Sequence, residues 1–436
     1  SAPNHDCWKC AGILTSGRVY GRPEWEEWAN FQMTQLLRYQ LAPGYWDENR
    51  HHGPSMSYNH TMSTPLFLFW KMTGRQDVRD ALERLLDFMI RFGCPDGSPG
   101  GALDGRMHAR TGRLNAAMSL TAQGRRWNRL AWENWVRPRM ASNEALKGDL
   151  GSLAAWQTDY VRFAEDGPEE ETGPETEGHL VEEHAGNFHA LSRRQGPWSV
   201  TLSGVFSDIP KESDNIYRMT RQSRIDLWHR ETGLLIGGGS VHRSVERQVA
   251  NLFLDTDYFA DVDFGMVTGR FEDTVRSCFF PRLINVAADG QSSRLELTFA
   301  HAQGAFRLSP ASESEFRIEF DMESVKLRKA FACLPLVVWR GAALEVDGSA
   351  LGESPAELTP VRERVRLTGS RRGPGWEAMI PAGVEARLQA PFTTIFAHRQ
   401  TVRRMQEDDY YEVAVLALQL ATEGRALPGP ITVRIG

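Results

Sequence analysis

The sequence predicts an α+β chain: helices first, then a large antiparallel β-sandwich. Three observations carry this. Up to about residue 165 the apolar residues recur at helical spacing. From about residue 184 they alternate with a period of two, as in Trp198-Ser-Val-Thr-Leu-Ser-Gly, Arg224-Ile-Asp-Leu-Trp-His and Glu315-Phe-Arg-Ile-Glu-Phe. No long helical pattern recurs between those runs, so the strands should pair antiparallel and stack as a sandwich. The expected division is 1–165 helical, 166–183 an acidic linker or loop, and 184–436 the β-domain.

The elements follow in order. Residues 23 to 42 read as a helix: Pro23 suits a first turn, Trp25, Trp28, Ala29, Leu36 and Leu37 share helical spacing, and Pro43-Gly44 ends it. A polar loop from Asp47 follows. Thr64 is expected to cap the next helix and Pro65 to occupy its first position, ahead of the apolar run Leu66 to Trp70. Residues 77 to 92 carry one apolar stripe, with Asp77 as the expected cap and Gly93 and Pro95 as the stop. A glycine-rich loop from Pro95 to His108 comes next, and no Gly-Lys-Ser/Thr makes it a phosphate loop. Helices are expected over 113–123, 126–140 and about 153–163. Residues 165–183 mix nine acids with Gly and Pro, a solvated or mobile composition. Further strands are expected at Arg294-Leu-Glu-Leu-Thr-Phe and Ile431-Thr-Val-Arg-Ile. Asp289-Gly290 and Asp347-Gly348 should be hairpin turns.

Composition narrows the function classes. A net charge of −6 argues against a nucleic-acid partner. No apolar run approaches the roughly 18 residues that span a membrane. The chain opens Ser-Ala-Pro without Met or a signal peptide, as expected of a processed secreted protein or a trimmed chain. The five cysteines include Cys7 and Cys10, readable as a short disulfide, a redox pair or half a metal site with His5. The thirteen Trp suit either sugar stacking or helix packing.

The densest chemistry lies in the loop after Trp46. It holds Arg50, His51, His52, Tyr58, Asn59 and His60, expected just before a helix N-terminus, where free N–H groups favour an anion. Asp104, Arg106 and His108 are expected to face the same cleft. The β-domain opens with His184, Asn187 and His189, followed by Arg193 and Arg194. His184 and His189, with His229 or His242, are the residues that could hold a metal in the β-domain, but no spacing is diagnostic. No Gly-x-Ser-x-Gly elbow or His-Glu-x-x-His helix is present. Asp47, Glu48 and Asp104 are the acids a glycoside hydrolase would draw on.

A Tyr/His/Asn/Arg set suits β-elimination beside a uronic-acid carboxylate. The carboxylate must be neutralised so that the enolate-like transition state is stabilised. A Tyr or His then removes the neighbouring proton, and another protonates the leaving oxygen. That scheme requires no metal or organic cofactor.

His51-His52-Gly53, Tyr58-Asn59-His60, the Pro95-Asp-Gly-Ser loop, Asp104-Gly-Arg106, the Trp198 strand and Gly233-Leu-Leu-Ile-Gly237 together resemble the heparinase II/III-like polysaccharide lyases and their alginate-lyase relatives. The resemblance implies an (α/α) toroid stacked on β-sandwich sheets, here an incomplete toroid because about 165 helical residues are few. It implies Tyr58 as the proton-transferring group, Asn59 or His52 as the neutraliser, His60 as a partner, and His184 or His189 as the β-domain histidine. Arg106 would bind a substrate carboxylate, with Arg50, His108, Trp46 and Arg193 as further substrate contacts. An acidic polysaccharide is then the expected partner and a secreted or periplasmic site the expected location. A glycoside hydrolase or a non-catalytic carbohydrate-binding protein is the alternative.

Overall fold

A computed structural model describes residues 3–47, 54–99, 103, 114–138, 159–170, 179–182, 188–205, 223–237, 252–254, 283–298, 302–324, 330–339, 341–351, 358–369, 373–392, 411–419 and 427–436. The chain divides into two compact units, residues 1–100 with 109–175 and residues 101–108 with 176–436.

The first unit holds α1 (Pro3–Tyr20), α2 (Pro23–Leu37), α3 (Met56–Thr73), α4 (Gln76–Phe92) and α5 (Ala122–Ala131). A 3₁₀ turn, Ala116–Leu120, precedes α5, and a π turn, Trp132–Val136, continues it. Helix α1 packs on α2 and α3, and α3 packs on α4, which gives two neighbouring hairpins. Among the described residues these helices do not show a closed toroid. Helix α4 is the amphipathic element its sequence promises, burying Val78, Ala81, Leu82, Leu85, Leu86, Met89 and Ile90. Its N-cap is Arg75, and Asp77 is the second helical residue, bonded to the Arg75 guanidinium at 2.6 and 3.0 Å. Gly93 ends α4 and also makes room: a Cβ there would stand 1.9 Å from the Trp127 ring of α5.

Two expectations need correction here. Helix α1 lies where only a terminal Cys pair was expected. Cys7 and Cys10 are buried free thiols on it, and burial with the nearby Asp6 pushes Cys10 up to about 11, so it stays a protonated thiol. Helix α3 starts at Met56, not at Pro65. Ser55 caps it by accepting the Tyr58 N–H, and Pro65 lies inside the helix. A proline there removes one backbone donor, but buried neighbours on both sides, Thr64 and Leu66, hold the helix through it.

A buried polar ladder joins α3 to α5. Asn115 donates to the Ser63 hydroxyl at 2.7 Å and accepts from its own cap partner, the Ala117 N–H. The Asn128 amide pairs with both backbone groups of Asn115 at 3.0 and 2.9 Å. The start of the acidic stretch is anchored rather than free. Glu165 meets Lys71 and Glu169 meets Arg129, each at 2.5 Å, while Arg125 donates to the Pro168 carbonyl. These ion pairs are a third or more exposed, so each adds at most about 1 kcal/mol. The backbone bonds Glu165 N–H to Ser119 Oγ and Glu170 N–H to Ala122 O fix the path.

The described residues of the second unit form two β-sheets with their turns. One sheet has ten strands: β1 (His179–Glu182), β2 (Phe188–Gln195), β3 (Trp198–Val205), β4 (Ser223–His229), β5 (Gly233–Ile236), β6 (Leu252–Leu254), β11 (Ala330–Trp339), β14 (Leu358–Val361), β17 (Ala386–Phe392) and β18 (Tyr411–Gln419). The other has nine: β7 (Leu283–Asp289), β8 (Ser292–Thr298), β9 (Ala302–Pro310), β10 (Glu315–Ser324), β12 (Ala343–Val346), β13 (Ser349–Ala350), β15 (Arg364–Thr368), β16 (Trp376–Met379) and β19 (Ile431–Ile435). Every pairing is antiparallel, and β1 begins five residues ahead of the expected β-domain start. Alternate residues of both sheets, such as Leu202, Ile225, Leu336, Phe306 and Phe316, form one shared core. Both hairpins are present, though the first turns on Gly290 and Gln291, because Asp289 ends β7 and pairs with Ser292. Val346 faces Ser349 across Asp347 and Gly348, both at positive φ, the pair a two-residue type I′ hairpin needs.

Trp198 ties the sheets together. Its ring lies 4.4 Å from His229 and 5.1 Å from Phe316, and its indole donates to Ser312 O at 2.8 Å. His229 is buried, its Nε2 3.0 Å from the Glu313 carbonyl, and burial lowers its pKa below the usual value. The unfolded chain therefore takes up this proton first, near pH 6.5. Stability is full above that pH and falls as pH drops toward the lower folded value. We expect the urea midpoint to drop more between pH 7.5 and pH 5.5 in the wild type than in His229→Gln, with the pH values bracketing the roughly 6.5 of a free imidazole.

Candidate functional site

Tyr58, Asn59 and His60 occupy the first turns of α3, not a loop before it. Successive helical residues point about 100° apart, so the three fan out and cannot converge on one point. Asn59 turns toward the chain entering the helix. Its Oδ1 accepts the Trp46 N–H at 3.0 Å, and its Nδ2 donates to Trp46 O at 3.2 Å and Ser55 O at 3.0 Å. Both amide protons and the carbonyl are thus engaged, in a site 3% exposed. In this geometry Asn59 has no donor left for a substrate carboxylate.

Trp46 is held from both ends. It is 2% exposed, and its indole donates to Leu36 O at 2.9 Å. Its ring presents no face to a sugar. A β-bridge pairs Asp47 with Pro54. Arg50 and His52 lie outside the described residues, as do Arg106, His108 and His184.

Of the trio, Tyr58 is the residue with a partly exposed side chain. It belongs to the first turn of α3, the end at which the helix dipole is positive. His60 is buried, and its carbonyl accepts the Ser63 hydroxyl at 2.7 Å. That hydroxyl in turn receives Asn115, so His60 sits on the polar ladder that fixes α3.

In the β unit, His189 and Arg193 lie on one face of β2 with Leu191, the face turned to the sandwich core. His189 pairs with Gly204, and a Cβ on Gly204 would strike Ile284 of β7 at 2.4 Å. Arg193 is 7% exposed and donates to two carbonyls of the β7–β8 turn, Ser292 O at 2.8 Å and Gly290 O. Those bonds join the two sheets. We expect Arg193→Met to lower stability by about 2 kcal/mol in urea unfolding, as for hydrogen bonds to a charged group. A substrate contact would instead raise KM and leave the unfolding midpoint in place.

One polar surface escaped the sequence reading. Ser192, Ser199, Thr201, Ser203, Arg224 and Asp226 lie on the sheet face opposite the core, yet all are under 9% exposed. Cross-strand register sets Arg224 beside Ser203, and Asp226 beside Thr201. Strict alternation alone gives these polar positions the character of a wet face. Their burial makes them a cation and a carboxylate kept from bulk water, and no local sequence signal distinguishes the two cases. Among the described residues no group of three or more His, Cys, Asp or Glu is placed to hold a metal ion.

Comparison with solved structures adds the remaining fact. A heparinase III structure matches 98% of this chain at a TM-score of 0.50 and 10% identity. The fold is heparinase-like. A heparan sulfate lyase from Pedobacter heparinus matches 99% of the chain at 10% identity and a TM-score of 0.46. The chain spans 59% and 60% of the length of these two structures. No family model matches the sequence, and no curated protein matches it. In the described residues the heparinase-like architecture consists of a few helices and two large antiparallel sheets. No described helix is long and apolar enough to cross a membrane.

Proposed function

We propose that the chain is a polysaccharide lyase that cleaves a uronic-acid-containing polysaccharide by β-elimination. The observation that carries this reading is the heparinase III likeness over 98% of the chain, joined to a partly exposed tyrosine at the start of α3. Fold alone does not fix chemistry, so the argument rests on what Tyr58 can do.

In the proposed reaction a base takes the proton on the carbon next to the uronate carboxylate. Its electrons form a double bond to the adjacent carbon, the bond from that carbon to the leaving oxygen breaks, and the oxygen accepts a proton. A phenol is weakly acidic, near 10 when unperturbed, and can return the proton it removes or deliver one to the leaving oxygen. Tyr58 carries that transfer. The helix N-terminus beside it stabilises the charge that develops on its oxygen.

The neutraliser is the part the geometry redistributes. Asn59 is committed to Trp46 and Ser55, so His52 and Arg50 take the carboxylate in this scheme, with Arg106 and His108 as further contacts. His60 supports α3 beneath the tyrosine. His184 and His189 are the candidates for a second imidazole, read by replacing each with Ala. The scheme calls for no metal or organic cofactor. A glycosaminoglycan-like acidic polymer is the proposed substrate, after the lyases the fold matches, and the helices form part of an (α/α) toroid. A secreted or periplasmic location goes with such a substrate.

Product mass tests the reaction class. Elimination yields a fragment one water lighter than hydrolysis of the same bond. A lighter, unsaturated end supports the lyase. Fragments carrying the extra water make the protein a hydrolase, and unchanged polymer that is nonetheless retained by the protein makes it a binder.

A further inference from the structure

We propose that Lys71, Arg79 and Arg129 form a carboxylate-binding track for an acidic polysaccharide, and that Glu165 and Glu169 of the chain itself are its resident occupants. The inference deepens the reading above and rests on its acidic polymer. All five residues belong to the first unit. Lys71 lies in the last turn of α3 and Arg129 in the last turn of α5. Residues 165–170 run between them as a strap without helix or strand. From Asp166 to Glu170 every residue is exposed, so that stretch buries no apolar side chain of its own.

Cations follow the strap along its length. Glu165 meets Lys71 and Glu169 meets Arg129, each at 2.5 Å. The Arg79 pKa is raised, chiefly by its hydrogen bond to Glu83, and the charge of Glu165 adds to the rise, which sets that guanidinium near the same carboxylate. Between the two carboxylates Arg125 donates to Pro168 O at 2.7 Å. A Cβ on Gly167 would stand 2.9 Å from the Arg125 guanidinium carbon, so glycine lets the strap lie against it.

A glutamate carboxylate presents the same pair of oxygens as a uronate, and Lys and Arg bind both through charge-assisted hydrogen bonds. The strap therefore displays the group this surface takes. Four residues separate Glu165 from Glu169, at most about 14 Å of chain, so one short run of an acidic polymer can reach both cations. The two ion pairs are a third or more exposed, and water and salt already compete for them. The strap's path does not depend on them. The Glu165 N–H bonds Ser119 Oγ and the Glu170 N–H bonds Ala122 O, so a polymer can take the cations while the backbone stays in place. Glu165 and Glu169 then act as internal competitors that hold down affinity for the polymer.

Glu165→Gln with Glu169→Gln tests this, because it removes both carboxylates and keeps the backbone bonds. Affinity is read at about 0.05 M salt, where screening is weak. One probe is poly-L-glutamate, which elimination cannot touch; the other is heparan sulfate, offered in a Tyr58→Phe background. The expected result is binding of both probes at least about fivefold tighter than in the parent chain, with the gain cancelled by adding Arg129→Gln or Lys71→Gln. Glu319→Gln with Glu345→Gln changes net charge equally at a distance, and should tighten binding less than about twofold. A urea midpoint checks that each variant folds. A Gln pair that binds no tighter than its parent or than the distant control overturns the proposal, as does a gain on poly-L-glutamate alone or one that survives Arg129→Gln and Lys71→Gln. Absence of elimination on every polymer with the tightening intact removes the lyase reading and keeps the track. Elimination without the tightening removes the track alone.

Discussion

Replacing Tyr58 with Phe should lower the elimination rate by about 10³-fold, the scale of a lost general acid–base group. The fold should lose less than about 1 kcal/mol, because the side chain is partly exposed and only its oxygen is removed. The backbone N–H of Tyr58 still reaches the Ser55 hydroxyl in the variant, so the helix cap survives. Activity and urea unfolding measured on the same preparation separate the two effects. Substrate affinity should change little, since the phenol acts in the transition state rather than in binding. Near-normal turnover in Tyr58→Phe would remove the residue from the chemistry.

Asn59→Ala should do the reverse and cost about 3 kcal/mol of stability. It deletes three hydrogen bonds and leaves the buried Trp46 N–H and two carbonyls without their partner, at about 1 kcal/mol or more each. Trp46 anchors the segment that enters the Asp47–Pro54 bridge, so activity falls with stability and recovers on cooling. A direct role in neutralising substrate predicts the opposite: a large fall in kcat/KM with the unfolding midpoint unchanged. Measuring both for Asn59→Ala and Tyr58→Phe distinguishes a scaffold residue from a reacting one.

How far the sequence spoke for itself depended on whether a local rule acted alone. Helix α4 was legible because one stripe of aliphatic residues has a single interpretation. The strands were legible from alternation, and Asp347-Gly348 from its need for positive φ at both positions. Helix α1 was not, because Trp8 and Val19 lie outside while Leu14 and Cys7 lie inside, which blurs the stripe. The start of α3 was misplaced because Pro65 is a strong N-terminal signal and Ser55 a weaker one; packing around Thr64 and Leu66 outweighed the proline. The consequence reached the candidate site. A loop lets Tyr58, Asn59 and His60 converge, whereas a helix spreads them, leaving Tyr58 partly exposed and sending Asn59 to Trp46. The partners of Glu165 and Glu169 on α3 and α5 were equally invisible, since composition gives a charge but not what it faces.

The most direct test offers the wild-type chain and Tyr58→Phe a panel of uronate-containing polysaccharides and follows near-ultraviolet absorbance. The account predicts new absorbance with at least one polymer for the wild type and almost none for the variant. New reducing ends without absorbance, or equal absorbance from both proteins, would contradict it.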